Sequence, residues 1–145
     1  MYPRLFSQYF STVYTFEPDP LNFHCLAANC SVPNIIKIQG AVGEDRAPIS
    51  MHRLTDTNVG MHRVLQGGNI PQFKIDDLCL ETCDLIQLDI EGYEIHALRG
   101  AAGTINRHRP TIVVENDNQM ITDFLAQYDI HKVDTSFMDT IYVAK

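Results

Sequence analysis

The sequence has no tryptophan, no long apolar run and an excess of acidic over basic residues. Its 145 residues include 11 Lys and Arg against 18 Asp and Glu, which gives a formal charge of -7 at pH 7. A negative field of this kind repels phosphate backbones and anionic lipids, and no stretch approaches the roughly 18 apolar residues of a membrane span. These absences predict a protein that binds neither nucleic acid nor a membrane.

The N-terminus and the cysteines favour a cytoplasmic location. The first 16 residues interleave polar residues with aromatics and lack the apolar core and cleavage site of a secretory signal. Four cysteines occur, as Cys25 with Cys30 and Cys79 with Cys83. Both spacings are wider than the C-x2-C of most zinc sites, and the chain is too long for a disulfide scaffold. Reduced, packed thiols are therefore favoured over a metal site.

Alternating apolar segments predict a single α/β domain over residues 1–145. The hydrophobic content of 45% and the lack of repeats or linkers fit one domain of ordinary size. β-Branched and aromatic runs predict strands at residues 13–16, 35–39, 84–90 and 111–115, with a further edge strand at 49–54. Helical spacing predicts helices at residues 5–10, 21–30, 95–108 and 121–128. This order favours a mostly parallel sheet covered on both faces, closed by a C-terminal antiparallel hairpin.

Acidic residues follow three of the predicted strands. Glu17 closes the first, Asp89 and Glu91 stand at the end of the third, and Glu115 closes the fourth. Because the carboxyl ends of parallel strands meet at one edge of a sheet, we expect these carboxylates to converge, and an acid there commonly accepts both hydroxyls of a ribose. The competing interpretation of each acid is a helix N-cap or a first-turn residue. Solvated or ligand-bonded carboxylates are favoured over a magnesium site.

Two motifs make the sequence similar to a known family. FEPDP occupies residues 16–20, and LDIEGYE with the LRGA that follows it occupies residues 88–101. Residues 58–60 match an Asn-x-Gly element and residues 74–78 a TLDDL-like segment. From about Val13 to Lys145 the chain resembles the FkbM family of S-adenosylmethionine-dependent methyltransferases. The resemblance implies a Rossmann-like class I methyltransferase fold, S-adenosyl-L-methionine as cofactor, and O-methylation of a hydroxyl on a small molecule or sugar.

The resemblance also implies which residues form the site. Glu17 would accept the ribose hydroxyls of the cofactor, and Asp89 and Glu91 would line the methyl-transfer site, where a base or an orienting carboxylate is needed. The turn at Pro18 and Asp19 would shape the entrance, Gly40, Ala41 and Val42 would lie against the adenine, and Asn58 and Glu115 would contact the substrate. Outside the site, Glu94 and Arg99 are expected to form an ordinary surface pair.

One element of that family has no counterpart in the sequence. A class I methyltransferase begins with a strand and a D-x-G-x-x-x-G turn, but only 12 residues precede VYTF and no glycine occurs before Gly40. The family topology places that strand between those ending at Glu17 and Asp89, so the predicted domain is N-terminally truncated and two strand edges are open. The chain is then a fragment, or another polypeptide supplies the strand, or the sheet closes differently and the cofactor site has decayed.

Two other functions are open at this point. A non-catalytic remnant, an interaction module or one piece of a split enzyme would associate through the open sheet edge, as a homo-oligomer or with a partner protein. A nicotinamide dehydrogenase would also place an acid beside a ribose, but the sequence lacks G-x-G-x-x-G. The methyltransferase is the preferred interpretation, and the dehydrogenase is the least favoured.

Overall fold

The computed structural model describes residues 2–53, 62–136 and 138–145. In this part of the chain the fold is α/β, with helices and strands intermixed along the sequence. The helices are α1 (Tyr2–Phe6), α2 (Pro20–Asn29), α3 (Glu94–Arg99), α4 (Ala102–His108) and α5 (Gln119–Ala126). The strands are β1 (Val13–Glu17), β2 (Ile35–Gln39), β3 (Ala41–Val42), β4 (Ile49–Arg53), β5 (His62–Gln66), β6 (Gln72–Phe73), β7 (Leu85–Leu88), β8 (Thr111–Val114), β9 (Ile130–Ser136) and β10 (Asp139–Ala144).

The largest sheet contains four strands in the order β7, β8, β10, β9. β7 and β8 are parallel, with Leu85 opposite Thr111 and Leu88 opposite Val114. β10 runs antiparallel to β8 on one side and to β9 on the other. The predicted C-terminal hairpin is therefore confirmed, with β9 as its edge strand.

The other described strands form three two-stranded sheets. β1 is parallel to β2, β3 is parallel to β6, and β4 is antiparallel to β5. The mostly parallel sheet is thus divided in the described residues. Among them, no strand pairs with the second edge of β1 or of β7, which are the two edges predicted to be open. The Rossmann-like arrangement stays a prediction.

Most of the buried apolar side chains of the described residues form two separate clusters. The smaller one packs α2 on the β1–β2 pair and consists of Leu26, Cys30 and Ile35. The larger one packs α3, α4 and α5 on the four-stranded sheet. Its members are Val42, Ile75, Ile86, Leu88, Ile95, Ala97, Leu98, Ala101, Ile105, Ile112, Val114, Ile121, Leu125, Ile130 and Tyr142. The core therefore consists mainly of residues from the C-terminal half of the chain.

The prediction of one helix over residues 95–108 is wrong, because the chain forms α3 and α4 with a break at Gly100. The Gly100 carbonyl accepts a hydrogen bond from the Asp76 amide at 3.0 Å instead of continuing the helical pattern. A Cβ atom at Gly100 would overlap the carbonyl oxygen of Gly43, so only glycine fits this contact. The Asp76 carboxylate then accepts the Thr104 amide at 2.7 Å near the start of α4. A tertiary contact thus interrupts an otherwise helical sequence.

Candidate active site

A cleft of about 930 Å³ lies between β1 and β7. The whole of β1 lines one side, with parts of α1 and α2, and β7 and the segment before it line the other. Glu17 is the last residue of β1, and Asp89 directly follows β7; both line this cleft. The structure therefore places both acids at the same cleft.

The two acids at the turn after β1, Glu17 and Asp19, make different contacts. One carboxylate oxygen of the half-buried Glu17 accepts the Asp19 amide at 2.9 Å. The Asp19 side chain accepts the amides of Leu21 and Asn22, at 2.9 and 3.0 Å, and so caps the N-terminus of α2. Asp19 is therefore the N-cap of α2, a role that was not predicted for it, and Pro18 lies half-buried between the two acids. The predicted cofactor contacts of Pro18 and Asp19 stay predictions.

Asp89 and Glu115 are neighbours at the ends of β7 and β8. The parallel pairing of β7 with β8 places Leu88 opposite Val114, so the next residue on each strand is an acid. A hydrogen bond between the two side chains raises the pKa of Glu115 to about 7; burial and the charges of Asp89, Glu91 and Asp139 act in the same direction. The raised pKa means that Glu115 keeps its proton at a higher pH than an ordinary glutamate does.

Two further acids surround this pair. Glu91 is exposed and follows Asp89 in the turn after β7. Asp139 is the first residue of β10 and reaches the site because β10 runs antiparallel to β8. Sequence reasoning missed Asp139, since only the strand order reveals that the beginning of one strand lies beside the end of another.

The predicted adenine-contacting segment is buried inside the protein. Gly40 precedes β3, and Ala41 and Val42 form β3, which pairs with β6. All three residues are buried, and of the three Val42 lines the cleft. Asn58 and Gly60 lie outside the described residues. The roles predicted for these residues stay predictions.

The expected surface pair between Glu94 and Arg99 is wrong. Glu94 is completely buried, whereas Arg99 is exposed and pairs with Glu44 at 3.3 Å. Glu44 also accepts a hydrogen bond from His96 at 2.8 Å, and this bond, with support from Arg99, lowers the pKa of Glu44. The spacing of Glu94 and Arg99 along one helix predicted the wrong partner for Arg99, because Glu44 is distant in sequence.

The described residues contain no group of three or more His, Cys, Asp or Glu arranged to hold a metal ion. All four cysteines are free thiols. Burial, assisted by the charge of Asp84, raises the pKa of the Cys83 thiol to about 11, so this thiol is protonated at neutral pH. Over the same residues, no helix combines the length and apolar character required to cross a bilayer.

Comparisons with known proteins identify the family of the chain. The family model of the methyltransferase FkbM domain matches residues 4–139. A crystal structure of methyltransferase FkbM from Methylobacillus flagellatus KT superimposes with a TM-score of 0.64 at 19% sequence identity. The match covers 97% of this chain but 38% of that one, so the chain spans well under half the length of that relative. A search of curated proteins found no match. The extent of the family match shows that the chain belongs to the FkbM methyltransferase family.

Proposed function

We propose that the cleft between β1 and β7 belongs to an S-adenosylmethionine-dependent O-methyltransferase that acts on a hydroxyl of a small molecule or sugar. The observation that carries the proposal is that Glu17 and Asp89 line one cleft in a chain of a methyltransferase family.

The residues present fit one half of the cofactor. The half-buried Glu17 at the end of β1 is suited to accept ribose hydroxyls, because a carboxylate accepts two parallel hydrogen bonds. The sequence has no glycine before Gly40 and therefore no glycine-rich turn ahead of β1 that could approach the methionine half. We propose that this chain supplies the ribose side and the methyl-acceptor side of the site.

The Asp89–Glu115 pair supplies acid–base chemistry. Bound S-adenosylmethionine would provide an electrophilic methyl group. An acceptor hydroxyl gains a methyl on oxygen and must lose its proton, and a carboxylate in hydrogen-bond reach can take that proton. The pKa of Glu115, raised to about 7 mainly by its bond to Asp89, matches this role because proton transfer is most efficient near the working pH. Glu91, which follows Asp89 in the turn after β7, would orient the acceptor.

Calorimetry with S-adenosylhomocysteine tests the cofactor half of the proposal. The titrated protein is the chain extended at its N-terminus by an apolar strand and a D-x-G-x-x-x-G turn. We expect binding that Glu17→Ala weakens at least tenfold, because the ribose hydroxyls lose a charged acceptor. Glu81→Gln is the matched control, since Glu81 is an exposed acid that lines the same cleft. Absence of binding by the extended protein rejects the proposal.

A second candidate is association through the open strand edges. Each of β1 and β7 pairs along one edge in the described residues, and the two strands line the same cleft. We propose that a strand from outside the described residues, in a longer chain or a partner polypeptide, pairs in this cleft. Light scattering of the 145-residue chain tests association: oligomers support it, and a stable monomer up to millimolar concentration counts against it.

A cytoplasmic location is part of the proposal, supported by the free thiols.

A further inference from the structure

The turn that follows β7 has a conformation that amino acids rarely adopt without support. Glu91 has φ +55° and Gly92 has φ +90°, so two consecutive residues lie in the left-handed region. Glycine adopts this conformation readily, but a residue with a Cβ atom does not. Asp89, which neighbours Glu115 because Leu88 of β7 is opposite Val114 of β8, stands immediately before this turn. Its position therefore depends on whatever fixes the turn.

Glu94 contacts the turn from the protein interior. Its side chain is completely buried, and its Oε1 atom accepts the amides of Ile90 at 3.3 Å and Gly92 at 3.2 Å. Its Oε2 atom is buried and has no hydrogen-bond partner among the described residues. A buried acceptor without a partner is unfavourable, so packing alone does not account for a glutamate here.

The two hydrogen bonds accepted by Glu94 stabilise the turn and do not cap the helix. Glu94 is the first residue of α3, and a capping side chain would bond the amides of the first helical turn. Its bonds instead reach back to residues two and four positions earlier. The His96 and Ala97 amides are satisfied by the Tyr93 carbonyl at 3.1 and 3.2 Å.

The other end of the turn is anchored separately. The hydroxyl of Tyr93 donates to the buried side chain of Gln72 at 3.2 Å, and Gln72 donates to the Asp45 carboxylate at 2.8 Å. The Tyr93 ring also stacks on His96, with 4.4 Å between the ring centroids. Within the turn, the Tyr93 amide donates to the Ile90 carbonyl at 3.2 Å, and the Glu94 side chain adds two hydrogen bonds from the protein interior.

We propose that Glu94 is a positioning residue: its buried carboxylate fixes the turn after β7 and thereby holds Asp89 against Glu115. Glu94 does not touch the reacting atoms. The inference rests on the proposed function only in treating Asp89 and Glu115 as catalytic residues. Its test uses the protein without cofactor, so it succeeds or fails independently of cofactor binding.

The test compares three variants of the 145-residue chain by NMR. Glu94→Ala removes the acceptor, whereas Glu94→Gln keeps a carbonyl oxygen that can accept the same two amides. Thr104→Val is the matched control, because Thr104 is also buried and loses a side-chain hydrogen bond of 2.8 Å to Asp76, away from the turn. The measured quantities are the titration midpoint of Glu115, assigned with Glu115→Gln, and the amide exchange rates of Ile90 and Gly92.

In Glu94→Ala we expect the Glu115 midpoint to fall from about 7 toward 4.5 by at least about one pH unit, since Asp89 separates from it while Glu91 and Asp139 remain nearby. We expect exchange at Ile90 and Gly92 to be at least tenfold faster. Glu94→Gln and Thr104→Val should retain the wild-type midpoint. If Glu94→Ala does not fold, Glu94→Asp replaces it, because the shorter side chain cannot reach both amides.

Several results would overturn the proposal. An unchanged Glu115 midpoint in Glu94→Ala or Glu94→Asp means that Glu94 does not position the pair. An equal fall in Thr104→Val means that the effect is general destabilisation. A fall in Glu94→Gln as large as that in Glu94→Ala means that the two amide hydrogen bonds are not the cause.

Discussion

The two sides of the cleft differ in how completely they are packed. β7 belongs to a four-stranded sheet backed by a cluster of fifteen buried side chains, whereas β1 belongs to a two-stranded sheet backed by a cluster of three. Burial of apolar surface is the main source of folding free energy. The β7 side is therefore stabilised by this chain itself to a much greater extent than the β1 side.

Exposed apolar side chains show the same difference. Most of the large ones in the described residues lie on the β1 side: Tyr2, Leu5, Tyr9, Tyr14, Leu21 and Ile36. Tyr14 and Ile36 are opposite each other on β1 and β2, and 39% and 41% of their surfaces are exposed. Parallel sheets normally have both faces covered. The β1 side is accordingly where we expect additional polypeptide to bind.

A matched pair of leucine truncations should show the largest difference in stability between the two sides of the cleft. Leu98 is completely buried in the large cluster, and Leu26 is buried in the small one. We expect Leu98→Ala to lower the free energy of unfolding by about 3 to 5 kcal/mol. Leu26→Ala should cost about 2 kcal/mol, the lower end of the range for buried leucines, because fewer buried neighbours surround it. Urea denaturation measures both, and equal losses would contradict the difference between the two sides.

The contact between Gly100 and Gly43 offers a second test on the β7 side. Gly100→Ala should cost about 2 to 3 kcal/mol, because the new Cβ would overlap the Gly43 carbonyl oxygen and force the backbone to shift. Gly103→Ala is the matched control, since its Cβ would meet only the Asp76 side chain at 3.2 Å. We expect the control to cost less than about 1 kcal/mol, which thermal unfolding can resolve. Similar losses in both variants would argue against the overlap.

The pH dependence of stability should sharpen the account of the Asp89–Glu115 pair. The pKa of Glu115 is raised from 4.5 to about 7 in the folded protein, so between these values the folded state holds a proton that the unfolded state releases. Its contribution to stability therefore falls as the pH rises through this window. We expect a loss of about 1 kcal/mol after solvent screening, and Glu115→Gln should remove it. A free energy of unfolding that rises between pH 4.5 and 7, with the rise abolished by Glu115→Gln, would contradict the raised pKa of Glu115.

The smallest expected effect is on the exposed face of β1 and β2. Ile36→Thr should change the free energy of unfolding by less than about 0.5 kcal/mol, because the side chain is substantially exposed. The same substitution should reduce self-association in sedimentation experiments if this face binds another polypeptide. A large loss of stability in the monomer would show that the face is already covered.

Much of the fold follows from local sequence patterns. The strands β1, β2, β7 and β8 and the helices α2 and α5 lie where apolar periodicity predicted them. The break at Gly100 was not predictable, because it depends on a carbonyl and a backbone that are distant in sequence. The division into several sheets was not predictable from periodicity either, because it depends on which strand edges meet.

The candidate site was predictable only in part. Acids at strand ends pointed to Glu17, Asp89 and Glu115, since strand direction fixes where such residues lie. The burial of Glu94 gave no sequence signal, because a helical acid four or five positions from an arginine ordinarily lies on the surface. Asp139 required knowledge that β10 is antiparallel to β8.

The most direct test of the central claim is a crystal structure of the N-terminally extended chain with S-adenosylhomocysteine. We predict that the ribose hydroxyls lie within hydrogen-bond distance of the Glu17 carboxylate and that the sulfur faces Asp89 across the same cleft. A nucleoside bound elsewhere, with neither acid in contact, would contradict the account.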